Sequence, residues 1–174
     1  MNLNTLINNN KYEFDRQFKN LLKKNLDNSI LSKAMYYGSI NGGKRIRPFL
    51  VKQASEIARI SNSDSFIIAS SIECIHSYSL IHDDLPCMDD DNYRRGKLST
   101  HKKFNEATAI LAGDALHDLA FELITGKLNF PKTIKTKEKN NKANNENLCL
   151  VPFFKKAERI AITKSSLPAC ISSN

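Results

Sequence analysis

Apolar residues recur at helical spacing through the first 125 positions of the chain. Phe14, Phe18, Leu21, Leu22 and Leu26 fall at i, i+4, i+7, i+8 and i+12, one face of an amphipathic helix whose other side is charged. A second helix is predicted over residues 30–40, broken by Asn41, Gly42 and Gly43. Pro48 suits the first turn of a third, which runs toward Ile60. Residues 61–64 read as a loop ending in a cap, followed by a helix from 65 to about 84 that Pro86 disturbs at its end. A further helix fits residues 105 to about 125, with Ala109, Ala112, Leu116, Leu119, Ala120 and Leu123 at its apolar positions. No convincing β-alternation appears, so the expected fold class is all-α. After Gly126 the periodicity stops. Residues 131–147 are rich in Lys and Asn, almost without apolar side chains, and are expected to be disordered or loosely helical. Residues 148–154 form a short apolar patch.

Length and composition narrow the class. At 174 residues with 41% hydrophobic content, the chain can build one domain with a real core. Its best candidate for a membrane span, residues 66–81, carries Glu73 and His76 and is too polar, and no integral membrane segment is expected. The N-terminus lacks the apolar core of a signal peptide, which points to a cytoplasmic protein. Cys74, Cys87, Cys149 and Cys170 show no CxxC spacing and read as ordinary reduced thiols. The net charge of +8 raises nucleic-acid binding, but its distribution argues against it. From Pro131 onward the net is +6; the first 130 residues carry only +2.

One run stands out chemically: HDDLPCMDDDNYRRG, residues 82–96. Five carboxylates are crowded together there, and two charges about 4 Å apart repel by about 4 kcal/mol at an effective dielectric of about 20. A cation should sit among them. Acids followed by Arg94 and Arg95 suggest a metal–polyphosphate site, in which carboxylates hold Mg²⁺, the metal holds phosphate oxygens and guanidinium groups take up the remaining charge. The alternative is a calcium-like or merely acidic loop, although the EF-hand spacing is absent. Upstream, His76, Ser79 and Asp83 lie at i, i+3 and i+7 on one helix face, so the histidine can reach the same cavity as the acid; the alternative is a core histidine satisfied by a backbone carbonyl. The stretch GGKRIRP, residues 42–48, places Lys44, Arg45 and Arg47 at a helix start behind two glycines. It suits a second phosphate site, or else is a solvated basic turn. A Walker pattern is absent.

Together, GGKRIRPFL (42–50), ECIHSYSLIHDDLPCMDDDNYRRG (73–96) and AILAGDAL (109–116) resemble the N-terminal half of the trans-isoprenyl diphosphate synthases, nearest the bacterial farnesyl diphosphate synthase (geranyltranstransferase) group. The resemblance covers roughly residues 10–126. It implies an isoprenoid-synthase-type helical bundle around a deep cavity, usually homodimeric. Asp83 and Asp89 match carboxylates that ligate Mg²⁺ on an allylic diphosphate, and Asp84 matches an acid supporting that shell. Arg94 matches the allylic-diphosphate arginine, and Lys44, Arg47, His76 and Arg95 match residues that hold the diphosphate of isopentenyl diphosphate. The implied reaction is prenyl transfer from dimethylallyl or geranyl diphosphate to isopentenyl diphosphate, with no side-chain nucleophile. In such proteins the residues four and five positions before the first aspartate help close the cavity floor. Here they are Ser79 and Tyr78, and an aromatic at that depth implies a short, fifteen-carbon product.

The family also carries a second aspartate-rich motif, and from residue 119 onward this chain has no aspartate. Residues 1–126 are therefore read as the N-terminal half of a polyprenyl synthase domain, and 127–174 as an atypical tail outside the family fold. The chain is expected to be truncated and inactive alone, through a frameshift or premature stop or as a natural half-protein that needs a partner. The competing function is a non-catalytic helical subunit of a full-length synthase, docking through an uncovered face of Leu116, Leu119, Leu123 and Ile124. Half a bundle is also expected to fold poorly and aggregate.

Overall fold

The predicted helices form, with two small elements between them. The structure is a computed structural model that describes residues 2–127. Six helices and one short hairpin follow in the order α1 (Leu3–Asn25), α2 (Ile30–Ser39), α3 (Ile46–Ile57), α4 (Asn62–Asp83), β1 (Tyr93–Arg94), β2 (Lys97–Leu98), α5 (Thr100–Lys103) and α6 (Glu106–Lys127). Among the described residues the architecture is all-α apart from this hairpin. The expectation for residues 127–174 lies outside what is described, save that α6 includes Lys127.

α4 is the central element. It packs on α6 along one side and on α3 along another, α2 also touches both α4 and α6, and α1 covers α3. A helix with so many neighbours needs small side chains around its circumference. α4 supplies them as Ala69, Ser70, Ser71, Cys74 and Ser77, all buried. Buried hydroxyls need partners, and these donate back along their own helix, Ser70 Oγ to Phe66 O at 2.8 Å and Ser77 Oγ to Glu73 O at 2.9 Å. The apolar stripe of α1 is buried as predicted, with Phe14 and Phe18 stacked at 5.2 Å and Phe66 of α4 beside Phe14 at 5.9 Å.

Three expectations change. α4 begins three residues early, because Ser61 rather than Asp64 is its N-cap: Ser61 Oγ accepts from Asp64 N at 3.1 Å. The leucines offered as a sticky face are interior. Leu116 and Leu123 are fully buried and Leu119 nearly so, because α6 turns them into the core shared with α1, α2 and α4. Ile124, the fourth residue of that face, is half-buried, and the large apolar residues that α6 exposes are Ile110, Leu111 and Phe121. Finally, the hairpin and α5 went unpredicted. Arg95 and Gly96 both have positive φ, 55° and 78°, as a two-residue type I′ turn requires. Of the cysteines within the described residues, Cys74 is buried, with its thiol pushed up by that burial, and Cys87 is exposed; both are free. No helix among the described residues is long and apolar enough to cross a membrane.

Candidate functional site

The GGKRIRP segment folds as the entry to α3. Gly42 and Gly43 take φ of 83° and 117°, and Arg45 follows in the left-handed region at φ 51° as the N-cap residue. Left-handed backbone at a non-glycine residue costs about 1–3 kcal/mol and tends to occur where function demands it. Its effect here is to split the three cations. Arg45 turns inward, contrary to its expected role as a phosphate-facing cation. Its Nε donates to Asp15 Oδ1 at 2.7 Å, Nη1 to Glu73 Oε1 at 2.5 Å, and Nη2 to Ser39 O at 3.0 Å. Its guanidinium carbon lies 5.9 and 5.8 Å from the ring centroids of Phe14 and Phe18. Arg45 is thus a buried tie between helices, while Lys44 and Arg47 remain exposed.

Around this turn opens a cavity of ≈ 510 Å³. It is lined by Lys44, Arg47, His76 and Arg95, four of the five predicted substrate-binding residues, together with Lys11, Gly43, Ile46 and the paired Arg45 and Glu73. Arg95 arrives from the hairpin turn and donates from Nη1 to Gly42 O. A Cβ at Gly43 would collide with that guanidinium, so the glycine supplies room as well as backbone freedom. The first turn of α3 adds unpaired N–H groups and the positive end of its dipole. His76 lines this cavity from α4. Burial, then the guanidiniums of Arg47, Arg95, Arg45 and Arg94, lowers its imidazole from 6.5 to about 4. Burial followed by Arg45 lowers Arg95 as well. Glu73 is the one carboxylate in this lining and Arg45 already pairs with it, so the remaining cations repel one another and a polyvalent anion would relieve that repulsion.

The aspartates lie beyond the C-terminal end of α4. Asp84 is 2% exposed and is gripped side-on by Arg94, whose Nε reaches Oδ1 at 2.7 Å and Oδ2 at 2.9 Å and whose Nη2 also meets Oδ1. That contact raises Arg94 further. Asp91 adds a looser contact to Arg94 at 3.6 Å. The loop then folds back: Asp89 N donates to Asp83 O at 2.9 Å, bringing the two predicted metal ligands into register. Asp83 is half-buried and Asp89 exposed, and neither carboxylate has an ion pair or hydrogen bond among the described residues. No group of three or more metal-ligating side chains forms among the described residues. Two free hard-oxygen donors with no closed cage fit Mg²⁺, which typically takes one or two carboxylates and completes its shell with water and substrate phosphate. Arg94 on the acids and Arg95 on the cavity are consecutive in one hairpin, so the two halves of the site adjoin.

Two participants were not read from sequence. Lys11 stands in a polar stretch of α1 without a motif and gave no signal. Glu73 did give one, since a carboxylate within the apolar run of α4 requires a buried cation. Tyr78, expected at a cavity floor, lies edge-on to His82 at 4.7 Å and to His117 at 5.3 Å.

Known proteins share this arrangement of segments. The Polyprenyl synthetase family profile matches residues 28–146. The farnesyl diphosphate synthase of Escherichia coli (strain K12) is 52% identical over 98 residues, 56% of this chain and 33% of that protein. The crystal structure of a geranyltransferase from Legionella pneumophila superposes with a TM-score of 0.68 at 41% identity, covering 72% of this chain and 44% of that one. A geranyltranstransferase from Thermotoga maritima gives 0.72 at 28% identity, covering 95% and 58%. The chain thus matches about a third of the length of curated relatives such as the Escherichia coli protein. The profile match, the identity and the shared fold place this chain in the polyprenyl synthetase family.

Proposed function

We propose that the chain carries the diphosphate-binding half of a prenyl-transfer site that joins an allylic diphosphate to isopentenyl diphosphate. The observation that carries the reading is the cationic cavity, with Lys44, Arg47, His76 and Arg95 converging beside the start of α3. In this reading those four hold the diphosphate of isopentenyl diphosphate. Asp83 and Asp89 hold Mg²⁺ on the allylic diphosphate, and the metal neutralises the leaving group when bound. Arg94 contributes charge from behind while fixed to Asp84. The allylic C–O bond breaks, a carbon–carbon bond forms to the isopentenyl double bond, and the proton then lost goes to the released diphosphate. Positioning and electrostatics supply the acceleration. Tyr78 makes the product short, so farnesyl diphosphate is the expected length, and its replacement by alanine in an active enzyme lengthens the product.

Residues 119–174 contain no aspartate, so these 174 residues offer a single acidic cluster. Little or no turnover is expected from them alone. Binding is the decisive assay. Calorimetry of the purified chain should detect isopentenyl diphosphate, weakened roughly ten- to a hundredfold by Arg47→Ala. A Mg²⁺-dependent increment with inorganic pyrophosphate should vanish in Asp83→Ala/Asp89→Ala. Binding unchanged by all three substitutions would refute the proposal.

A further inference from the structure

α4 and α6 meet at one unusual contact. His82, the penultimate residue of α4, presses its imidazole onto the backbone of α6 at Gly113, where a Cβ would collide with the ring. Its Nε2 lies 3.0 Å from Ile110 O. A carbonyl only accepts, so Nε2 carries the hydrogen and donates. Asp114 Oδ1 is 3.9 Å from the same nitrogen, and the Tyr78 ring meets the imidazole edge-on from one turn below. Position, donor direction and fit are therefore fixed from two helices.

The acidic loop hangs from that fixture. Leu85 N donates to His82 O at 3.2 Å and starts the turn that ends α4. Asp89 N then returns to Asp83 O at 2.9 Å. Asp83 is the immediate neighbour of His82, and Asp89 is placed through Asp83. We infer that His82, docked in the Gly113 notch and bonded to Ile110 O, is the positioning residue that sets the two metal-binding aspartates on α6.

This positioning role rests on the diphosphate reading, and the test separates the two. The full chain would be titrated with inorganic pyrophosphate in saturating Mg²⁺, with folding checked by circular dichroism. His82→Leu should weaken Mg²⁺-dependent binding roughly tenfold or more, the scale on which supporting contacts of a metal site act. His82→Gln, which keeps a donor near Nε2, should restore most of it. Gly113→Ala should reproduce the loss, and Gly113→Ala/His82→Leu should be no worse than either single change, because both break one contact. Gln binding as weakly as Leu would overturn the inference, as would wild-type affinity in folded His82→Leu or Gly113→Ala. If His82→Leu fails to fold, the milder Gly113→Ala and His82→Gln decide alone. Absence of Mg²⁺-dependent binding in the wild type would sink the diphosphate reading and the positioning role together. Wild-type binding that is indifferent to His82 sinks only the latter.

Discussion

His76 shows how the cavity stores charge tension in a single side chain. Its imidazole titrates at about 4 in the folded protein against an ordinary 6.5. Between those values the unfolded chain binds the proton more readily, so stability falls as pH drops from 6.5 toward 4. A lower denaturation midpoint near about pH 5 than near about pH 7 is expected, with His76→Gln removing part of the difference. An anion in the cavity opposes the guanidinium share of that shift, leaving the larger share from burial, and so raises the ring's affinity for a proton. Calorimetry near about pH 5 in buffers of different ionisation enthalpy should therefore show a proton linkage on diphosphate binding that His76→Gln changes. Gly43→Ala is the complementary test: its methyl displaces the Arg95 guanidinium, and diphosphate affinity should fall about ten- to a hundredfold. The grouping of Lys44, Arg47, His76 and Arg95 was implied by the family resemblance, and the four do line one cavity. The inward turn of Arg45 was not legible in sequence, since its type and neighbours match those of Lys44 and Arg47, and only the left-handed backbone sends it inward.

Among the elements, the long helices were readable because burial imposes a period on them. Their limits were less so. The cap read at Asp64 lies three residues earlier, at Ser61, where local hydrogen bonding sets it. Ser61→Ala should cost about 1 kcal/mol in chemical denaturation. The hairpin has strands of two residues, too short for alternation to register. Its one readable sign was Gly96, second in a two-residue turn. α5 spans four residues, and its buried Thr100 and His101 are polar, so no apolar spacing announces it. Yet these minor pieces carry Arg94 and Arg95 to the site. Tyr37 Oη of α2 holds the second strand through Leu98 O at 2.7 Å, and Tyr37→Phe should loosen the hairpin and weaken anion binding while α2 stays folded.

At the scale of the whole molecule, the described residues possess a core of their own, with Phe18, Leu22, Ile68, Leu116 and Leu123 fully buried. Leu116→Ala should destabilise by about 2–5 kcal/mol, as in a well-packed interior. A change of only a few tenths would return Leu116 to the role of an open face. Arg45→Met should cost about 3–5 kcal/mol in the same measurement, because it strands Glu73 without its cation. Pairing it with Glu73→Gln should recover part of the loss. Glu73 Oε2 already lacks a hydrogen bond among the described residues, so losing the Arg45 contact leaves the carboxylate without the hydrogen bond it has there. The Arg45 tie has a consequence for descent as well. A lysine offers one point charge on a flexible stem and cannot span Asp15, Ser39 O and Glu73 together. Lineages should therefore drift at positions 15, 45 and 73 in concert, and a cousin with lysine or glutamine at the middle one should have shed at least one of the two acids.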